Sequence, residues 1–154
     1  MAAPTIAIRD PASLDETAWR ELWLQYNAFY EVSIPEAVTA RTWQRILDPA
    51  SPVFGRLAAV DGATIGFSIS LLHDSTWTIA PVCYLEDLFV APRFRGRGAG
   101  RLLIADLVKR AEANGWARLY WHTRSGNPAR RLYDEFATAD DFVRYRRSFA
   151  ENSQ

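Results

Sequence analysis

The stretch EDLFVAPRFRGRGAGR, residues 86–101, decides how the rest of the chain is interpreted. An apolar run ends at Pro92, and helical apolar spacing begins after the last glycine. Between them lie three alternate glycines, Gly96, Gly98 and Gly100, interleaved with three arginines, Arg95, Arg97 and Arg101. Glycine lets a ligand approach the backbone, and the unpaired amides at a helix start attract anions. The stretch therefore predicts a site for a phosphate or pyrophosphate.

Two other phosphate motifs do not fit this stretch. A P-loop requires Lys followed by Ser or Thr after its last glycine, whereas Gly100 is followed by Arg101 and Leu102. A dinucleotide fingerprint requires a third glycine three residues after Gly98, and Arg101 stands there. The predicted anion site is therefore neither a P-loop nor a dinucleotide-binding loop.

Outward from the glycines, the pattern predicts one mixed α/β domain spanning residues 1–154, with a core over about 5–149. Period-two alternation and turn residues predict strands over residues 5–9, 53–60, 63–72, 82–90, 118–123 and 142–149. Helical spacing predicts helices over residues 14–30, 35–47, 100–114 and 127–136. Asp61-Gly62 predicts a two-residue hairpin turn, so the middle strands form a mostly antiparallel meander.

Composition narrows the class of protein. With 154 residues, 49% hydrophobic and 23% charged, the chain suits a single globular domain. It has no apolar run of bilayer length and a single cysteine, which favours the cytoplasm and argues against a membrane partner. The net charge of zero hides an asymmetry. Residues 1–92 hold five basic residues against eleven acidic ones, and residues 93–154 hold thirteen against seven.

The run Arg95-Gly96-Arg97-Gly98-Ala99-Gly100 resembles the signature of the GCN5-related N-acetyltransferase (GNAT) superfamily. Within it, residues 85–90, 119–123, 129–133 and 142–145 most resemble the histone and polyamine (diamine) acetyltransferase branch. The resemblance implies the acyl-CoA N-acyltransferase fold, an α/β mixed sheet with splayed fourth and fifth strands. It also implies direct acetyl transfer from acetyl-CoA without a metal, and a homodimer or higher homo-oligomer.

By the same resemblance, one set of residues binds coenzyme A. The amides of the glycine loop hold the pyrophosphate, the main chain at Leu88 and Val90 pairs with the pantetheine arm, and the Leu88 amide stabilises the oxyanion. The full predicted set is Leu88, Phe89, Val90, Arg95, Gly96, Arg97, Gly98, Ala99, Gly100, Arg101, Asn127 and Arg130. Asn127 departs from the superfamily pattern, because Gly126 stands where the asparagine is usual, and Asn127 also suits a helix cap.

The resemblance further assigns Tyr133 as the general acid for the departing thiol and Glu86 as the base that acts through water. Periodicity alone would place Tyr133 in the core. Adjacent strand residues face opposite ways unless a bulge intervenes, so only one of Glu86 and Asp87 is expected to face the site. The predicted acceptor-binding residues are Asp87, Tyr26, Tyr30, Glu31 and His122, with Trp23, Glu36 and Trp43 as further candidates for the pocket. Helical spacing also fits Trp23 and Tyr26 as the buried face of the first helix, and favours that alternative for Trp23. Aromatic rings beside acids suit a cation.

The identity of the acceptor remains open at this stage. A small cationic amine, such as a polyamine, a diamine or an amino-acid-like molecule, is the leading hypothesis. A lysine of a protein or histone and a non-catalytic regulator that binds coenzyme A are the alternatives. A nucleic-acid binder is disfavoured, because the sequence pI is 6.7 and the arginines of the second half are scattered over several predicted elements.

Overall fold

The computed structural model describes residues 2–150, and these residues form two compact units. The first unit runs to His122 and the second begins at Thr123. The first unit contains a five-stranded sheet whose strands lie side by side in chain order. The strands are β1 (Ala7–Arg9), β2 (Val53–Val60), β3 (Ala63–His73), β4 (Val82–Val90) and β5 (Arg118–Tyr120). The first four are antiparallel neighbours, whereas β5 runs parallel to β4. The predicted meander and mixed sheet are confirmed.

The helices of the first unit follow the predicted spacing closely. They are α1 (Glu16–Phe29), α2 (Glu36–Leu47) and α3 (Ala99–Asn114), with short 3-10 turns at Ser13–Asp15 and Pro92–Phe94. Pro35 stands at the N-cap of α2, and Gly98 and Gly115 bracket α3. The hairpin between β2 and β3 turns at Asp61 and Gly62, which both have positive φ, as a two-residue turn of type I′ requires.

Two apolar clusters cover opposite faces of the sheet. Aromatic side chains of α1 and α2 pack on one face, where Trp19 is 1% exposed and its ring stacks on Trp23 at 5.3 Å and on Trp43 at 5.1 Å. On the other face, Ala99 and Leu103 of α3 pack against the sheet. Burial of apolar surface stabilises a folded domain by about 25 cal/mol for each Å² removed from water. The tryptophan stack therefore fixes α1 and α2 on the sheet.

A buried ion pair ties α3 to the sheet. Arg56 of β2 donates to both carboxylate oxygens of Asp106 on α3 at 2.9 Å, and also contacts Asp10. The side chains of Arg56 and Asp106 are only 11% and 16% exposed. A bidentate pair of this kind holds both partners in one geometry.

The second unit corrects two predictions. Its only described helix is the single turn α4 (Arg130–Tyr133), because the amides of residues 130–132 bond three residues back instead of four. The strand predicted over residues 142–149 is absent from the described chain. Phe142, Tyr145 and Phe149 are largely exposed, and alternation forms a strand only where a partner edge supplies its hydrogen bonds.

None of the helices within residues 2–150 combines the length and the apolar character needed to cross a membrane.

Candidate active site

A β-bulge separates the two adjacent acids of β4. In the pairing with β3, Ser70 faces Leu85 and Ile69 faces Asp87, so Glu86 is the extra residue. A bulge re-aims the side chains next to it. Glu86 consequently points to solvent, whereas Asp87 is partly buried on the sheet face that α1 covers.

Asp87 is held by a tyrosine of α1. The Tyr26 hydroxyl donates to Asp87 Oδ1 at 2.8 Å. Burial raises the pKa of Asp87 to about 7, the nearby charge of Glu86 acts in the same direction, and the Tyr26 bond opposes both. Burial, together with the Asp87 charge, also raises the pKa of the Tyr26 hydroxyl. A carboxyl that titrates near neutrality can hold or release a proton under working conditions.

The predicted acceptor residues of the first two helices fall into two groups. Tyr26 and Tyr30 are partly exposed and their rings meet edge to face at 5.0 Å. Glu31 follows them in a positive-φ conformation and is exposed. Trp23 and Trp43, by contrast, belong to the buried stack, at 7% and 4% exposure. Trp23 thus belongs to the buried face of its helix, the alternative that its helical spacing favours, and Trp43 does not join an acceptor pocket either.

Glu36 does not join the acceptor residues. It forms an ion pair with Arg20 at 2.8 Å on the surface.

A polar aromatic cluster at the start of β4 and the end of β5 was missed by sequence reasoning. His73 Nε2 lies 2.8 Å from the Tyr120 hydroxyl, and His122 Nδ1 lies 3.3 Å from the Tyr84 hydroxyl. The Tyr84 and Tyr120 rings stack at 5.0 Å. The register with β3 gives Tyr84 the same sheet face as Asp87. His122, predicted to bind the acceptor, thus touches a residue on the face of Asp87. The sequence signal that could have predicted this cluster is the spacing of Tyr120 and His122, which are two residues apart and so share one face of a strand.

The glycine loop has the geometry of an anion site. Gly96 and Gly98 have φ of 77° and 86°, and a Cβ at either would meet nothing within 4 Å. The glycines are therefore required for the backbone conformation, and the space above them is open. Gly98 caps the sixteen-residue helix α3, whose first amides carry the positive end of the helix dipole. The guanidinium carbons of Arg93 and Arg97 lie 4.9 and 5.5 Å from the ring of Phe94, beside this loop. The residues present fit a pyrophosphate.

Next to the loop, β4 has a bare edge. β5 pairs only with residues 82–84, so no strand of the described chain covers the same edge over residues 85–90. That edge includes Leu88, Phe89 and Val90, whose other edge pairs with β3. The main-chain groups that point to this edge are available to an extended ligand arm, except for the Val90 carbonyl, which accepts a hydrogen bond from Arg95 Nε at 3.0 Å.

Three predicted residues lie in the second unit. Tyr133 is the last residue of α4. Asn127 accepts from the Ala129 amide at 3.0 Å and donates to Thr123 at 2.8 Å, so its side chain already braces its own turn. Arg130 donates to the Ser125 carbonyl at 2.8 Å. These two bonds account for the Asn127 side chain without a ligand, although Asn127 is not the N-cap of α4, a position that Ala129 occupies.

Cys83 is fully buried, and burial raises the pKa of its thiol to about 11, which leaves it protonated at neutral pH. Within residues 2–150, no group of three or more His, Cys, Asp or Glu side chains stands close enough to hold a metal ion.

The sequence profile of the Acetyltransferase (GNAT) family matches residues 16–137. The chain belongs to the GNAT family. This GNAT protein is 35% identical over 151 residues to a D-amino-acid N-acetyltransferase of Saccharomyces cerevisiae, which covers 96% of this chain and 94% of the relative. It is 36% identical over 107 residues to an aminoglycoside N(6')-acetyltransferase of Stenotrophomonas maltophilia, covering 68% and 65%. With relatives of named activity, this GNAT protein is an N-acetyltransferase.

Solved structures agree with the family. An aminoglycoside N-acetyltransferase in complex with CoA has a TM-score of 0.78 at 25% identity, over 95% of this chain and 97% of that one. A ribosomal-protein-alanine N-acetyltransferase from Brucella melitensis also has a TM-score of 0.78, at 23% identity, over 94% of this chain and 100% of that one. The predicted GNAT fold is confirmed.

Proposed function

We propose that this acetyltransferase moves the acetyl group of acetyl-CoA directly to the primary amine of a small cationic acceptor. The observation that carries the proposal is the Tyr26–Asp87 pair, a partly buried carboxylate in an aromatic setting, on the strand that leads into the glycine loop. A carboxylate among aromatic rings suits an ammonium group. The named relatives act on D-amino acids, aminoglycosides and thialysine, which supports a small acceptor. Polyamines and diamines share the primary amine with these acceptors.

Coenzyme A would be held by the loop and the bare edge of β4. The amides of Gly96, Gly98, Ala99 and Gly100 would bind the pyrophosphate, with Arg97 and Arg101 as counter-charges. The main chain of Leu88 and Val90 would pair with the pantetheine arm, with Phe89 between them. Asn127 and Arg130 complete the proposed set, although the Asn127 side chain already bonds within its own turn. The side chain of Arg95, predicted for the same set, is instead directed to Phe29 and Phe89.

Acetyl-CoA supplies the thioester, and the residues of the chain would manage the protons and charges. The Glu86 carboxylate, exposed at the bulge, would take the ammonium proton through a water molecule, while Asp87 binds the cation. The Leu88 amide would donate to the carbonyl oxygen as negative charge develops. The Tyr133 hydroxyl would protonate the departing sulfur, because a phenol and a thiol have comparable pKa values. Tyr30, Glu31 and His122 would line the acceptor site.

The decisive experiment is a thiol-release assay with acetyl-CoA and a panel of spermidine, free amino acids and a histone-tail peptide. Release with small amines only is the expected result. Release with the peptide alone would favour the protein-lysine alternative. Acetyl-CoA binding without release for any amine would leave a non-catalytic regulator.

The role of Tyr133 has its own test. Tyr133→Phe should lower turnover by roughly ten- to a thousand-fold while acetyl-CoA binding stays intact. Tyr145→Phe is the matched control, because Tyr145 lies in the same unit at 92% exposure. Equal turnover of both variants would remove Tyr133 from the mechanism. The single-domain organisation, the cytoplasmic location and the homodimer remain predictions, the last of which light scattering can test.

A further inference from the structure

The side chain of Arg95 packs differently from those of Arg93 and Arg97, which lie beside the ring of Phe94. Its Nε donates to the Val90 carbonyl at 3.0 Å. Its guanidinium carbon lies 5.4 Å from the ring of Phe89 and 5.7 Å from the ring of Phe29. Phe89 packs in the cluster on the α1 face of the sheet, and Phe29 is the last residue of α1. The side chain is thus directed to the α1 side.

Four aromatic side chains contact one another in series, and we call them the aromatic wall: Tyr26, Phe29, Tyr30 and Phe89. Arg95 contacts the two end members of this series, Phe29 and Phe89. Successive ring centroids are 5.9 Å apart for Phe89 and Tyr26, 5.0 Å for Tyr26 and Tyr30, and 5.1 Å for Tyr30 and Phe29. Asp87 is hydrogen-bonded to Tyr26 on this wall. The wall therefore carries a carboxylate at Tyr26 and a guanidinium at Phe89 and Phe29.

The guanidinium has donors to spare. Three arginines of the first unit are paired closely with carboxylates: Arg9 with Asp15 at 2.7 Å, Arg20 with Glu36 at 2.8 Å and Arg56 with Asp106 at 2.9 Å. Arg95 is exposed and forms no ion pair with any carboxylate of residues 2–150. Only Nε is used, so the two Nη atoms can form the paired hydrogen bonds that a carboxylate accepts. Contact with two rings also keeps the planar group in place.

We propose that Arg95 binds the carboxylate of the acceptor, so that the acceptor class is free α-amino acids. This inference rests on the proposed function. The ammonium would lie at Asp87 and the carboxylate at Arg95, with an apolar or aromatic side chain along the aromatic wall. A polyamine has no anionic group, and a fixed guanidinium beside its cations would repel it. Arg95 then determines specificity and is separate from the cofactor-binding arginines.

The test compares acceptors that differ only in the carboxylate. Thiol release is measured with L- and D-phenylalanine, phenylalaninamide and phenethylamine, and the binding of phenylalanine is measured by calorimetry with CoA present. For the wild type, kcat/KM should be about 10- to 100-fold higher for phenylalanine of at least one hand than for the two analogues, as a charge-assisted hydrogen-bond pair predicts. Arg95→Gln should remove this preference through a higher KM for the amino acid. Arg95→Lys should keep part of it.

Arg97→Gln is the matched control from the same loop. It should weaken acetyl-CoA binding and leave the preference for the carboxylate intact. If Arg95→Gln instead weakens acetyl-CoA binding and lowers kcat/KM for all acceptors alike, Arg95 is a cofactor residue and the inference is wrong. If no amine releases thiol, the proposed function fails. The calorimetric comparison of wild type and Arg95→Gln still decides whether Arg95 binds the amino-acid carboxylate.

Discussion

Asp87 should make the stability of the protein fall as the pH rises. Its pKa is raised to about 7 in the folded state, whereas an aspartate in the unfolded chain titrates near ~4. Between these values the folded state binds more protons than the unfolded state, so the free energy of unfolding decreases with pH. The loss is complete once the pH exceeds about 7. Asp87→Asn has no proton to release and should lack this dependence.

The size of the effect follows from the shift. Three pKa units correspond to about 4 kcal/mol. Asp87 is partly exposed, and solvent screening reduces that figure, so the expected range is about 1–4 kcal/mol. Because the comparison is between pH values, any constant cost of replacing the carboxylate by an amide cancels.

The assay is urea unfolding of the wild type and Asp87→Asn at several pH values from about 4.5 to 8.5. The stability of the variant should rise relative to the wild type by the stated amount across the range. Tyr26→Phe removes the bond that lowers the pKa of Asp87, and should extend the decline to higher pH. Glu21→Gln, which replaces an exposed acid of α1, is the control and should change little. A stability difference between wild type and Asp87→Asn that is flat with pH would refute the reasoning.

Three further predictions concern other parts of the first unit. Gly98→Ala, which forces a side chain into a φ of 86°, should cost about 1–2 kcal/mol and reduce thermal stabilisation by CoA, whereas Gly126→Ala at a position with open space should do neither. Asp106→Ala should destabilise by about 1–3 kcal/mol in chemical unfolding, because it leaves the largely buried Arg56 with only its contact to the exposed Asp10; if Arg56→Met with Asp106→Leu costs as much, the loss is not due to the poorly paired charge. Cys83 should resist alkylation by iodoacetamide at pH 7.5 in the folded protein, as mass spectrometry can check, and rapid labelling would contradict its burial.

The local signals of the sequence predicted most of the first unit. The structure places β2 and β4 at residues 53–60 and 82–90, as predicted, and begins α3 one residue early at Ala99. Pro81, Pro92 and Gly98 punctuate the chain next to these elements, and their effect on the backbone depends on neighbours in sequence alone. The Asp61-Gly62 turn is of the same local kind. Features set by adjacent residues are therefore readable from one sequence.

The remainder depends on contacts between distant residues. Residues 142–149 alternate as a strand does, but Arg147 breaks the alternation and a strand also needs a partner edge. Trp43 and Tyr26 occupy similar positions on apolar helix faces, yet only the packed structure shows that Trp43 is buried on Trp19. The bulge at Glu86 arises from pairing with β3, which no local pattern encodes.

The bulge explains how one strand provides two carboxylates in different environments. The same strand also connects the acid-rich half of the sequence to the arginine-rich half. The extra residue sends Glu86 to solvent and leaves Asp87 against Tyr26, so two adjacent acids acquire different environments. From Asp87 the strand continues through Phe89 to Val90, whose carbonyl holds Arg95. An acid of the acid-rich half and an arginine of the arginine-rich half therefore both contact the aromatic wall. A cofactor confined to one half and an acceptor to the other would not need that contact, whereas an acceptor with both an amine and a carboxylate would use it.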